Sequence, residues 1–279
     1  MLLIDFIPVW LVLLASGSLG VVIGSFLNVV VYRLHTNRSL SGRSHCLACG
    51  YTLRWFDLLP IVSYVLLRAR CRRCGARITP RYALVEGLTG VLFAFSALLT
   101  PVWLPLVFIL CIQAVLVVII VYDYYHLIIP DRTVLWLLAL AAGWLGYEVW
   151  LGMSWATLGS TIAVALAGGS VFAFLWLISK GRWIGLGDAK LAVPLGMIVG
   201  ISGVFSLVVF SFWVGALISL AILTGQALVR RGQPHLRFLS QPLTIKSEVP
   251  FAPFLVISFW LIYFFGFDAL ELTTLFYTL

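Results

Sequence analysis

"VVIIVYDYYHLIIPD", residues 117–131, closes a long apolar run on a single carboxylate, Asp123, before two tyrosines, His126 and Pro130 lead to the next apolar segment. A run of that kind reads as a membrane helix reaching its interface. A charge at the mouth of such a helix costs free energy unless it is hydrated, paired or used. The fold and the functional question therefore both start at Asp123.

The rest of the chain repeats the pattern. Of 279 residues, 62% are hydrophobic and 10% charged, and the mean hydropathy is +1.11, whereas soluble domains are about one-quarter charged. The apolar runs are continuous rather than alternating, which predicts an all-α polytopic helix bundle and argues against a β-barrel. About eight spans are expected, near 7–32, 82–99, 103–122, 133–150, 157–179, 189–201, 203–228 and 251–268. The sixth is short and is parted from the seventh only by Gly200-Ile201-Ser202-Gly203, so it either spans or re-enters. The first run lacks a basic start and is too long for a cleaved signal peptide.

Placing the N-terminus outside puts loops 33–81, 123–132, 180–190 and 229–250 in the cytoplasm, and all 18 Lys and Arg fall in these loops. That is the positive-inside pattern. The net charge of +8 is then topology rather than a nucleic-acid footprint, and the lipid bilayer with its anionic headgroups is the default partner. The division expected is a first span at 1–32, a cytoplasmic loop domain at 33–81 and a membrane domain at 82–279. The 229–250 loop, with three prolines, reads as irregular backbone, a lid or a tether.

Residues 33–81 carry ten arginines, one carboxylate (Asp57) and four of the five cysteines. "CLACG" at 46–50 and "CRRCG" at 71–75 have the spacing of zinc knuckles, each CxxC supplying two corners of a tetrahedron and each glycine the tight turn. Cys46, Cys49, Cys71 and Cys74 would leave zinc no open position, so the role expected is structural. The small loop lacks the mass for a core, and the metal would supply its folding free energy. His45 is a spare ligand at most, and Cys111 within a span is a small apolar filler.

Gly20, Gly24 and Asn28 recur at helical spacing in the first span. They suit close helix packing, with the amide bonding to a neighbour one turn on, and Asn28 also lies near the cytoplasmic end, where a reaction centre would be. The decisive partner for Asp123 is Asp188 in "GLGDAKL". The third span descends to the cytoplasmic face and the sixth rises from it, so both aspartates emerge at one level. Two neighbouring carboxylates in a partly desolvated site do not both ionise easily, so one acts as base while the other keeps a proton. The plainer readings are a helix cap for Asp188 and a hydrated interfacial charge for Asp123. Asp131, after a proline, reads as an N-cap. Glu86, one turn into the second span, would pair with an arginine or line the site. Gly185 and Gly187 would allow close backbone approach, leaving room for a peptide beside Asp188.

Taken in order, "GSFLNVVVYRL" at 24–34, the paired cysteine motifs, "RYALVEGLTG" at 81–90, "DYYHLIIPD" at 123–131, "GLGDAKL" at 185–191 and "PFAPF" at 250–254 resemble the prepilin peptidases, the type IV leader peptidase family of GxGD aspartyl proteases. The resemblance covers nearly the whole chain. It implies a bacterial inner-membrane enzyme whose catalytic pair is Asp123 and Asp188, with Asp131 outside that pair. The implied reaction removes the basic leader of type IV prepilin or pseudopilin precursors on the cytoplasmic side, after a glycine. Many relatives also methylate the new N-terminus with S-adenosylmethionine, a function associated with the cysteine-bearing region. The sequence departs from the family at Ala69, in "LRARC", where glycine is usual. The rival readings are an ion- or metal-coupled transporter, which would hold its ionisable groups near the midplane, and a zinc-stapled scaffold indifferent to loss of the aspartates.

Overall fold

The computed structural model describes residues 8–36, 39, 41–232, 249–269 and 271. Its helices are α1 (Val9–Thr36), α2 (Val62–Leu66), α3 (Arg81–Leu99), α4 (Trp103–His126), α5 (Asp131–Trp150), α6 (Trp155–Ser179), α7 (Leu186–Gly232) and α8 (Ala252–Phe265), with one 3-10 turn at Trp55–Asp57. No strand occurs among the described residues, only the isolated bridges His45↔Thr52 and Arg70↔Arg77. Among the described residues six helices are long and apolar enough to cross a bilayer, with α8 a shorter apolar one. The chain is a polytopic helical membrane protein.

Long α7 is two helices. Gly200 breaks it with φ 76° and ψ −178°, backbone geometry open essentially to glycine alone. A Cβ on Gly196 would lie 3.3 Å from Val204 Cγ2, whereas a continuous helix holds residues eight apart about 12 Å from each other. The chain therefore folds back at the turn expected from its glycines, giving limbs 186–199 and 201–232. Most of the 229–250 loop lies outside the described residues.

Two compact units divide the chain at Tyr122 and Asp123, so the last turn of α4 belongs to the second. This differs from the division expected at 32/33 and 81/82, because contacts group α1, the cysteine loop, α3 and most of α4 together. In the first unit α1 packs along α3 through glycines. A Cβ on Gly20 would come within 2.6 Å of Thr89 O and 2.8 Å of Gly90 Cα, and one on Gly24 within 2.8 Å of Glu86 Cα. Bilayer lipid gives two helices little reason to associate except such close packing. Gly20→Val is thus expected to part α1 from α3, costing about 3 kcal/mol, and to show as a lower thermal midpoint in detergent. An unchanged midpoint would contradict the contact.

In the second unit α6 lies against both limbs of α7, with Gly168 facing Val204 and Gly169 facing Val193. Phe251 then gathers Phe172, Phe212 and Phe254 at ring separations of 5.7, 5.5 and 6.0 Å. That aromatic cluster fixes the start of α8, which matters for the site.

Candidate active site and metal centre

α4 continues one turn beyond the span expected from sequence, so Asp123 lies within the helix rather than after it. Its side chain is buried. Asp123 Oδ2 accepts a hydrogen bond from Ala252 N at 3.2 Å. Ala252 opens α8, where backbone N–H groups lack intrahelical acceptors and favour an anion. The carboxylate of one helix thus meets the positive end of another.

Asp188 has the matching arrangement. It is equally buried, sits in the first turn of α7, and its Oδ2 accepts from Gly185 N at 3.1 Å. The cap expected from sequence is realised in part: Asp188 takes the third helical position, returning a bond to the residue before the helix as in a capping box. Each carboxylate is held through one oxygen at a helix N-terminus.

The approach of the two segments depends on the turn after α4. Leu127 takes left-handed φ 53° and donates its N–H to Asp123 O at 2.8 Å. This redirects the chain so that Ile129 meets Gly187, where a Cβ would sit 3.1 Å from Ile129 Cβ. The space at Gly187 is thus occupied by Ile129, not left beside Asp188 for a peptide. Gly185 is less crowded, its nearest neighbour to an added Cβ being Asp188 Oδ2 at 3.4 Å.

Asp131 is not the N-cap expected. It is the first residue of α5, Pro130 holds the cap position without a side-chain bond, and Asp131 Oδ1 instead accepts from Lys190 Nζ at 2.7 Å. The pair is exposed, at 46% for Lys190 and 73% for Asp131. It ties the first turn of α7 to that of α5 without burying charge.

Sequence reasoning missed the Ala252 N–H. The signal was available in "PFAPF": Pro253 within the first turn marks a helix start, and a helix start is where an anion is held.

Asn28 and Glu86 belong to the first unit. Asn28 Nδ2 donates to Gly24 O at 3.3 Å and across to Tyr82 O at 3.2 Å, the interhelical amide bond expected. Glu86 pairs with no arginine among the described residues; its Oε2 accepts from Ile61 N at 2.7 Å.

The cysteine loop brings four thiols together in an arrangement that could hold a metal ion. The Sγ atoms of Cys46, Cys49, Cys71 and Cys74 all lie within 4.8 Å of one another, and Cys46 to Cys74 is 3.9 Å. Thiolates at about 2.3 Å from zinc sit about 3.8 Å apart in a tetrahedron, so the set fits structural zinc. The two knuckles match in detail. Gly50 N donates to Cys46 O and Gly75 N to Cys71 O, both at 2.9 Å, and both glycines have φ 69°. Backbone N–H groups of Cys74 and then Arg73 lower the Cys71 thiol, which favours a ligating thiolate there, while burial and the neighbouring thiols raise that of Cys74. Asp57 joins the knuckles through Arg72 Nε at 2.7 Å.

Ala69 has φ 56°, left-handed backbone that costs a residue with a Cβ about 1 kcal/mol or more. Glycine would suit this turn, and alanine here bears a modest strain while Ile78 N still bonds Ala69 O at 2.7 Å. Ala69→Gly is expected to stabilise the loop by about 1 kcal/mol, read as later zinc release in a chelator titration. Earlier release would contradict it.

Residues 18–100 match the family model of the bacterial peptidase A24 N-terminal domain, and residues 108–220 that of the type IV leader peptidase family. A relative from Burkholderia pseudomallei, a prepilin leader peptidase/N-methyltransferase, is 32% identical over 93% of this chain and 87% of its own length. The chain belongs to the type IV leader peptidase family. Within it, a Myxococcus xanthus prepilin leader peptidase/N-methyltransferase is 34% identical over 75% of this chain and 63% of the relative. An Escherichia coli O78:H11 type 4 prepilin-like proteins leader peptide-processing enzyme is 34% identical over 65% of this chain and 74% of the relative. No solved structure matches the chain. Asp123 and Asp188 both lie within residues 108–220, the stretch that matches the leader peptidase family model, and both are in the second unit.

Proposed function

We propose that this protein is a bacterial inner-membrane aspartyl endopeptidase that removes the basic leader from type IV prepilin or pseudopilin precursors, then methylates the new N-terminus. One observation carries the peptidase: two buried carboxylates, each anchored by one backbone N–H at a helix start, on segments that meet where Ile129 packs on Gly187, in a family of leader peptidases. One carboxylate accepts a proton as water attacks the scissile carbonyl, and the other donates to the substrate. The pair acts jointly, so the roles belong to the dyad. The amide bond breaks, and the mature chain leaves with a free α-amine.

Concentration of all 18 Lys and Arg in alternate loops supports a cytoplasmic reaction face with the N-terminus outside. In functional terms the reading takes 1–32 as the first span, 33–81 as the zinc-bearing element and 82–279 as the peptidase domain. Methylation is supported by the names of the relatives and by the retained cysteine loop. S-adenosylmethionine would supply the methyl group; the substrate amine forms the new N–C bond and releases a proton as the C–S bond breaks.

The test is reconstitution in liposomes with a purified prepilin. Mass spectrometry is expected to show cleavage after the leader glycine, with a 14-dalton increase, one CH₂, on the mature N-terminus only when S-adenosylmethionine is added. An intact leader would overturn the peptidase, and an unmethylated product would restrict the protein to cleavage.

A further inference from the structure

A cavity of about 320 Å³ opens in the first unit between α1, α3 and the cysteine loop. That volume is at the small-molecule end of binding sites. Its walls include Asn28, Tyr32, Asp57, Tyr64, Tyr82 and Glu86. We infer that this cavity is the S-adenosylmethionine site, with Glu86 and Asn28 receiving the ligand's positively charged ammonium and sulfonium groups. The inference rests on the methyltransferase reading above and supplies the contacts that reading lacks.

Two acceptors at the wall lack the partners their burial calls for. Asn28 is 2% exposed, and its Nδ2 is turned to two backbone carbonyls. That leaves Oδ1 as the other end of the amide, and Oδ1 has no hydrogen-bond partner. Glu86 is 7% exposed, held by Ile61 N–H and by Ser25. Among the described residues the ion pairs are Arg72–Asp57 and Lys190–Asp131, so Glu86 has no cation there. A buried acceptor without a donor, and a buried carboxylate without a cation, each cost free energy. A ligand bearing an ammonium and a sulfonium answers both.

The rest of the lining suits the rest of that ligand. Arg43 and Arg77 reach the cavity and match a carboxylate, and the tyrosine rings offer faces and edges to a purine. The arginines, which would repel a basic leader, thereby gain a use: they meet the carboxylate that shares the ligand's amino-acid end with its ammonium. Cys46 and Cys71 also border the cavity, so the zinc knuckles form part of its wall.

Binding is measured by equilibrium dialysis of tritiated S-adenosylmethionine against the full detergent-solubilised chain, with zinc content as the fold check. Glu86→Gln and Asn28→Ala are each expected to weaken binding at least tenfold while retaining zinc. Ultraviolet cross-linking of the wild type, mapped by mass spectrometry, is expected to label peptides bearing Tyr32, Tyr64 or Tyr82. If the wild type binds but both variants bind equally well, or the label falls only in the second unit, the site is wrong and the methyltransferase reading stands. If the wild type binds no cofactor at all, that reading fails with it.

Discussion

Asp123→Asn and Asp188→Asn are each expected to slow leader removal from a prepilin by at least about a thousandfold, close to 4 kcal/mol of transition-state stabilisation. Asparagine matches aspartate in shape, and its carbonyl oxygen accepts the same hydrogen bond from Ala252 N or Gly185 N that Oδ2 accepts now. The helix starts at α7 and α8 therefore keep their partners. What the amide cannot do is gain or lose a proton at the reacting water. Gel-shift assays of purified protein measure the rates, and an unchanged thermal midpoint in detergent confirms that the variants are folded. By contrast Asp131→Asn removes only an exposed pair with Lys190, worth less than about 1 kcal/mol, and is expected to leave cleavage within a few fold.

The second large effect is loss of zinc. Between Val31 and Val85, Cys71 is the only buried apolar residue among those described, so the loop has no core that could fold it. Structural zinc in small domains contributes about 10–16 kcal/mol of apparent binding free energy, far more than the Asp57–Arg72 link. Replacing Cys46 and Cys71 together by serine is expected to abolish bound zinc and to open the arginine-rich segment 68–77 to trypsin at least a hundredfold faster. Chelation of the wild type should do the same. A metal-free loop that resists trypsin as well as the wild type would show that the cysteines do not hold the fold.

Much of this was legible in the sequence because it was carried by local signals. Asp123 and Asp188 were marked by charge in apolar surroundings, the four cysteines by CxxC spacing, the α1–α3 contact by Gly20 and Gly24, and the fold-back by Gly200. What escaped depends on distant chain segments meeting. Nothing near Asp123 announces that Ala252 will donate to it, nor anything near Gly187 that Ile129 will fill its space. Asp131 follows a proline as caps often do, but the helix starts on it, and Lys190, 59 positions away, takes its carboxylate. The cavity beside Asn28 and Glu86 is likewise a product of α1, α3 and the cysteine loop together.

Asp123 and Asp188 are expected to act as one unit, and a double-mutant cycle tests that directly. Groups that act jointly lose nearly everything when either is removed. Leader-removal rates are compared for Asp123→Asn, Asp188→Asn and the double variant under identical conditions. The double variant is expected to match each single variant within a few fold. Full processing by either single variant, or a double loss equal to the product of the two single losses, would contradict the dyad.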